Sequence, residues 1–137
     1  MEYNYLCPKC RSNLNLHHRI IFAVKNEKDE RGLMLLDPRL GHYDSETHPG
    51  YHILEGEKVE FMCPICHVSL TASEINDNLV KLVMIENENK EHEVYFSRVK
   101  GEKSTYWFTP ESFKPFGDDA DKYLEFFKSS KKYSGLL

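Results

Sequence analysis

The sequence predicts a mainly β (β-rich α+β) fold of antiparallel strands with a short C-terminal helix. Three observations carry that expectation. Apolar runs are strand-sized and rich in β-branched and aromatic residues, as in Ile20-Ile21-Phe22-Ala23-Val24. Polar stretches with glycine or clustered acids separate these runs at hairpin spacing. Only near the end do apolar residues (Ala120, Tyr123, Leu124 and Phe127) recur at the spacing of one helix face.

Taken in order, Asn13 and Asn15 mark a turn, and residues 18–25 read as a strand. A polar connection then leads to residues 32–36, so 18–36 form a hairpin. Residues 37–50 hold two prolines and two glycines with no apolar period and read as the longest loop. Strands resume at 51–54 and 58–62 around the turn Glu55-Gly56-Glu57. In the second of these, Val59 and Phe61 alternate with Lys58 and Glu60, the pattern of a strand with one buried face. Residues 71–75 read as one helical turn capped by Thr71.

Residues 80–85 and 92–99 are strands joined by the polar turn 86–91, and 104–109 is the last strand. Tyr106-Trp107-Phe108 loads both faces of that strand, so one face needs cover from the C-terminal helix or from a partner. The helix opens at 117–120 with Asp118 as its cap, and Lys128, Lys131 and Lys132 sit near its negative end. Residues 129–137 are expected to fray. No linker interrupts the pattern, so residues 1–137 read as a single domain.

Net charge is −4, unevenly spread. Residues 1–25 carry Lys9, Arg11, Arg19 and Lys25 against Glu2, whereas residues 26–60 carry nine acids against four bases. This balance disfavours a general nucleic-acid binder but permits a local anionic contact at the basic end. No apolar run reaches membrane-spanning length, and the start lacks the features of a signal peptide. A soluble protein in the reducing cytoplasm is the resulting expectation, with no membrane partner, and there thiols bind metal more readily than they pair as disulfides.

All four cysteines lie in two matching segments, Cys7-Pro8-Lys9-Cys10 and Cys63-Pro64-Ile65-Cys66. Each is followed by a leucine at the same offset, Leu14 and Leu70. Two cysteines at this spacing can aim both sulfurs at one point, and a second pair completes a tetrahedron. Four thiolates in that arrangement suit one structural Zn²⁺ and leave no position open for water or substrate. Cys7, Cys10, Cys63 and Cys66 are therefore the expected ligands. A thioredoxin-like redox pair would sit in a βαβ pattern, and neither segment does.

These two C-P-x-C segments resemble the knuckles of the zinc-ribbon class and, more distantly, of rubredoxins. The likeness covers residues 1–16 and 58–71. It implies a zinc-ribbon-like core with an inserted hairpin region, because 52 residues separate the two pairs. Those families often place glycine or a small residue after the second cysteine. Here Arg11 and His67 stand in that place, a departure from the iron-binding electron carriers. Zinc ribbons serve many processes, so the likeness describes a site and not a task.

Three further sets of residues offer other chemistry. His42, His48 and His52 lie in or beside the long loop with Asp44 and Glu46, the vocabulary of a second metal site, but at spacings that match no known motif. Lys9, Arg11 and Arg19 could contact nucleic acid. Tyr95, Phe96, Tyr106, Trp107 and Phe108 could stack bases, although strands also use such residues to build cores. The reading that follows is a small zinc-binding adaptor with no catalytic residues and another protein as partner. A nucleic-acid- or ribosome-associated factor is the alternative, and an enzyme built on 42–52 is third.

Overall fold

The computed structural model describes residues 3–86 and 90–136. Among them, ten strands form two antiparallel sheets. The strands are β1 (Asn4–Leu6), β2 (Asn15–Leu16), β3 (Arg19–Lys25), β4 (Arg31–Leu36) and β5 (Ser45–Thr47). They continue with β6 (Glu60–Met62), β7 (Leu79–Ile85), β8 (Glu91–Ser97), β9 (Thr105–Phe108) and β10 (Phe113–Phe116). The first sheet runs β1-β7-β8-β9-β10. The second is built on β3, with β4 and then β5 on one side. On its other side β2 pairs with the start of β3, and β6 with Ala23, Val24 and Lys25 at its end.

Period-two burial builds the core between the sheets. In β3 Ile20, Phe22 and Val24 are buried while their neighbours are half-buried, as expected of a strand with one face inward. They pack with Met34, Phe61, Leu82, Met84 and Val94 in one cluster. Phe61 meets both Phe22 and Phe96 there edge to face, with Phe22 and Phe61 centroids 5.1 Å apart.

The outer face of the first sheet has its own core. Leu79, Tyr95, Tyr106 and Phe108 point away from the second sheet and are covered by the C-terminal segment. That segment is a 3-10 turn (Ala120–Tyr123) running into α1 (Leu124–Lys128), which presents Ala120, Tyr123 and Phe127 inward as their spacing predicts. Three layers result: sheet, sheet and a short helical cover. The bulky faces of β9 are thereby both accounted for, with Trp107 packed against the inter-sheet core and Tyr106 and Phe108 beneath Phe127. None of the five aromatics forms an exposed stacking platform.

Several expectations need correction. Residues 51–54 belong to no strand; Leu54 is exposed, and Tyr51 turns back so that its hydroxyl donates to the Glu30 carbonyl. The long loop contains β5, whose Ser-Glu-Thr sequence pairs with β4 at a polar edge without hydrophobic alternation. β10 lies in a stretch without a strand signal and holds Pro115, which an edge strand tolerates. Thr71 caps no helix, because it bridges to Val80 while Ser73 to Ile75 only turn. Asp118 is not the cap of the C-terminal segment. Asp119 occupies that position and uses Oδ2 to accept the Lys103 amide. The predicted turn at 86–91 includes residues 87–89, which lie outside the described set.

The tail is the largest correction. Residues 129–136 fold back, and Tyr133 is only 2% exposed. Its hydroxyl lies 2.6 Å from the Tyr95 hydroxyl and 2.7 Å from Glu93 Oε2, which also takes Lys81 and Lys132. Its ring stands 4.1 Å from that of Phe108. Among the described residues no helix is long and apolar enough to cross a membrane. Tyr133→Ala should therefore lower stability in urea unfolding by about 3 kcal/mol or more, the cost of removing a buried ring. A change near zero would restore the frayed tail.

Candidate metal centre

The two C-P-x-C segments fold alike, hydrogen bond for hydrogen bond. The Cys7 amide donates to the Ser12 carbonyl and Arg11 donates back to Cys7, at 3.1 and 3.0 Å. In the second knuckle Cys63 donates to Val68 and His67 to Cys63, at 3.0 and 2.9 Å. Leu14 then donates to Tyr5, and Leu70 to Phe61, so both leucines are buried at the base of a tight hairpin. Closing each turn needs one left-handed residue. Arg11 has φ 66° and His67 φ 65°, a region that side chains with a Cβ enter at a cost. Glycine would enter this region without that cost, and both knuckles close without it.

Within each turn, amides point at the first sulfur. Lys9 and Cys10 amides lie 3.4 and 3.5 Å from Cys7 Sγ. Ile65 and Cys66 amides lie 3.3 and 3.4 Å from Cys63 Sγ. Backbone N–H groups aimed at sulfur stabilise a thiolate and its metal bond.

The knuckles face each other. Cys7 and Cys66 sulfurs are 3.8 Å apart, and Cys10 and Cys63 sulfurs 3.7 Å. All four fall within 4.8 Å of one another. A regular tetrahedron with zinc–sulfur bonds of about 2.3 Å has edges of about 3.8 Å, so the donor set fits one ion. A disulfide would bring two sulfurs to about 2 Å, and all four cysteines are free. Cys7 and Cys63 are buried, whereas Cys10 is half-buried and Cys66 exposed. The centre thus sits at the rim of the core, with one side in the protein and one toward solvent.

The two thiols of the first knuckle are shifted in opposite directions. Burial pushes Cys7 up to about 12, although the two amides oppose this. Cys10 is drawn down to about 6, chiefly through Ser12, whose Oγ lies 3.3 Å from its sulfur. Ser12 escaped the sequence reading because the matching position of the second knuckle is Val68 and the spacing carries no signal for it.

The other candidate residues are dispersed. Arg11 is paired with Glu91 at 2.6 Å, and Arg19 lies 3.8 Å from Glu46. Lys9 stands at the tip of its knuckle, where the second knuckle carries Ile65. Among the described residues the four cysteines are the one donor set able to share an ion. His42 lies in the turn beyond Arg39, His48 Nδ1 accepts the Gly50 amide at 3.0 Å, and the His52 carbonyl accepts from Asn26. No protein-family model, curated protein or solved structure matches the chain.

The left-handed residues offer a direct check of the knuckle geometry. His67→Gly should leave the metal-loaded chain as stable as before or up to about 1 kcal/mol more so, whereas β-branched His67→Val should cost about 1–2 kcal/mol. Urea unfolding of both variants distinguishes them. Equal effects would contradict the turn.

Proposed function

We propose that the chain is a protein-binding module stabilised by one structural Zn²⁺ held by Cys7, Cys10, Cys63 and Cys66. The observation that carries this reading is the closed set of four converging sulfurs. Four thiolates complete a tetrahedron, so the ion has no open position at which to activate water or substrate. Its work is mechanical. It ties the β1–β2 passage to the β6–β7 passage.

A protein partner suits the surface better than a nucleic acid does. Ile65 is 59% exposed at the tip of the second knuckle, held rigidly by the centre beneath it. Leu16, Leu33 and Leu54 add further exposed apolar side chains. Of the three basic residues considered for a phosphate contact, Arg11 and Arg19 already face carboxylates. Exposed pairs of this kind are weak, yet they reduce the local excess of positive charge.

Zinc content and its pH dependence test the metal. The purified chain should carry one zinc, and Cys63→Ser should lose it and unfold at lower urea. Binding requires thiolates, and burial raises the pKa of the Cys7 thiol, which favours its protonated form. Zinc uptake at neutral pH must therefore expel protons, and affinity must fall as pH falls. Uptake without proton release would contradict the thiolate centre.

The partner surface is tested separately. Ile65→Glu should keep its zinc and its melting temperature while losing a protein that the native chain retains on a column. Equal retention by the variant would remove the knuckle tip from the interface.

A further inference from the structure

A cavity of about 310 Å³ lies between the two sheets, away from the cysteines. Its floor is formed by Ile20, Met34 and Phe61 from one sheet and Leu82, Val94 and Phe96 from the other. Protein interiors are close-packed, and voids much larger than a water are few. Leu36, Leu40 and Phe96 pack on the core yet remain half-exposed along it.

The opening is built from two segments, the first held in place by polar contacts. Residues 37–43 form one side. There Asp37 accepts the Arg39 amide at 2.9 Å and the Arg39 guanidinium at 2.6 Å, which holds its carboxyl down to about 2. Tyr5 donates its hydroxyl to the Pro38 carbonyl at 2.6 Å, fastening this loop to β1. Tyr43 reaches Thr105 Oγ1 at 2.9 Å, fastening it to β9. Residues 97–103 form the other side, turning through Gly101 at φ 94°. The cavity is therefore preformed, as small-molecule sites usually are.

Charge at the opening is cationic in excess. The lining carries four cations, Arg39, Arg98, Lys100 and Lys103, against three carboxylates in a chain of net charge −4. Two of those carboxylates are engaged, Asp37 with Arg39 and Glu102 with Lys122, Ser97 and Tyr123. The third, Glu55, lies against Gly101. Among the described residues, neither Lys100 nor Lys103 is paired with a carboxylate.

We propose that this cavity binds a small amphipathic anion, an aliphatic chain ending in a carboxylate. The chain lies between the sheets and the head group meets Lys100 and Lys103. An apolar interior with a few polar groups at one end selects such a ligand, and the volume suits a chain of modest length. The site is independent of any partner at the knuckle tip.

Decanoate, decanol and acetate, titrated into the metal-loaded chain and followed by calorimetry and amide correlation spectra, test the assignment. Decanoate should bind at one saturable site and shift the amides of Leu82, Val94, Phe96 and residues 98–103. Decanol should bind about fivefold more weakly, as expected for the loss of one exposed ionic contact, and acetate should not saturate. The double variant Lys100→Glu/Lys103→Glu should weaken decanoate by about fivefold or more with dispersed spectra and unchanged decanol binding. Leu40→Trp, at the half-buried edge, should block both chains. Failure of decanoate to saturate, shifts confined to other surfaces, equal affinity for decanol, or an unaffected double variant would each overturn the proposal.

Discussion

The chain passes between its two sheets at both cysteine knuckles. β1 belongs to one sheet and β2 to the other, with Cys7 and Cys10 between them. β6 and β7 repeat the passage in the opposite direction around Cys63 and Cys66. One ion shared by the two turns would hold the sheets in register at that end. Without it, the joint would rest on buried apolar contacts and a few backbone hydrogen bonds. Four thiolates within 4.8 Å of one another would repel unless a cation lay among them, so binding of an ion there would be coupled to folding.

Away from that joint the sheets need not pack completely. The inter-sheet core is closed around Phe22 and Val24, and opens towards Leu36, Leu40 and Phe96. Tyr5 spans the two regions, because its backbone supports the first knuckle while its hydroxyl fastens the loop at the cavity mouth. The outer core under α1 gives the first sheet a second buried face, while β7 and β8 contribute Leu82, Val94 and Phe96 to the wall of the cavity.

The legible parts of the sequence were those whose signal is local. Two C-P-x-C turns can be read from spacing alone, and β3, β7, β8 and β9 follow from apolar residues whose partners lie in adjacent hairpins. The illegible parts depend on distant partners. β5 and β10 are edge strands, polar or proline-bearing, and exist because a neighbouring strand offers its free side. Residues 51–54 show strand propensity but find no ladder. Tyr133 looks like part of a lysine-rich tail until Tyr95 and Phe108 are placed beneath it. The cavity assembles side chains from both sheets and two loops, and no window of sequence could contain it.

Absorption spectroscopy at the zinc edge of the purified protein tests whether four sulfurs of this chain surround a single zinc ion. One shell of four sulfur neighbours at about 2.3 Å is expected, with no lighter atoms among them. A shell containing nitrogen or oxygen would move the ion elsewhere in the chain. A zinc-free protein with its cysteines oxidised in pairs would contradict the account outright.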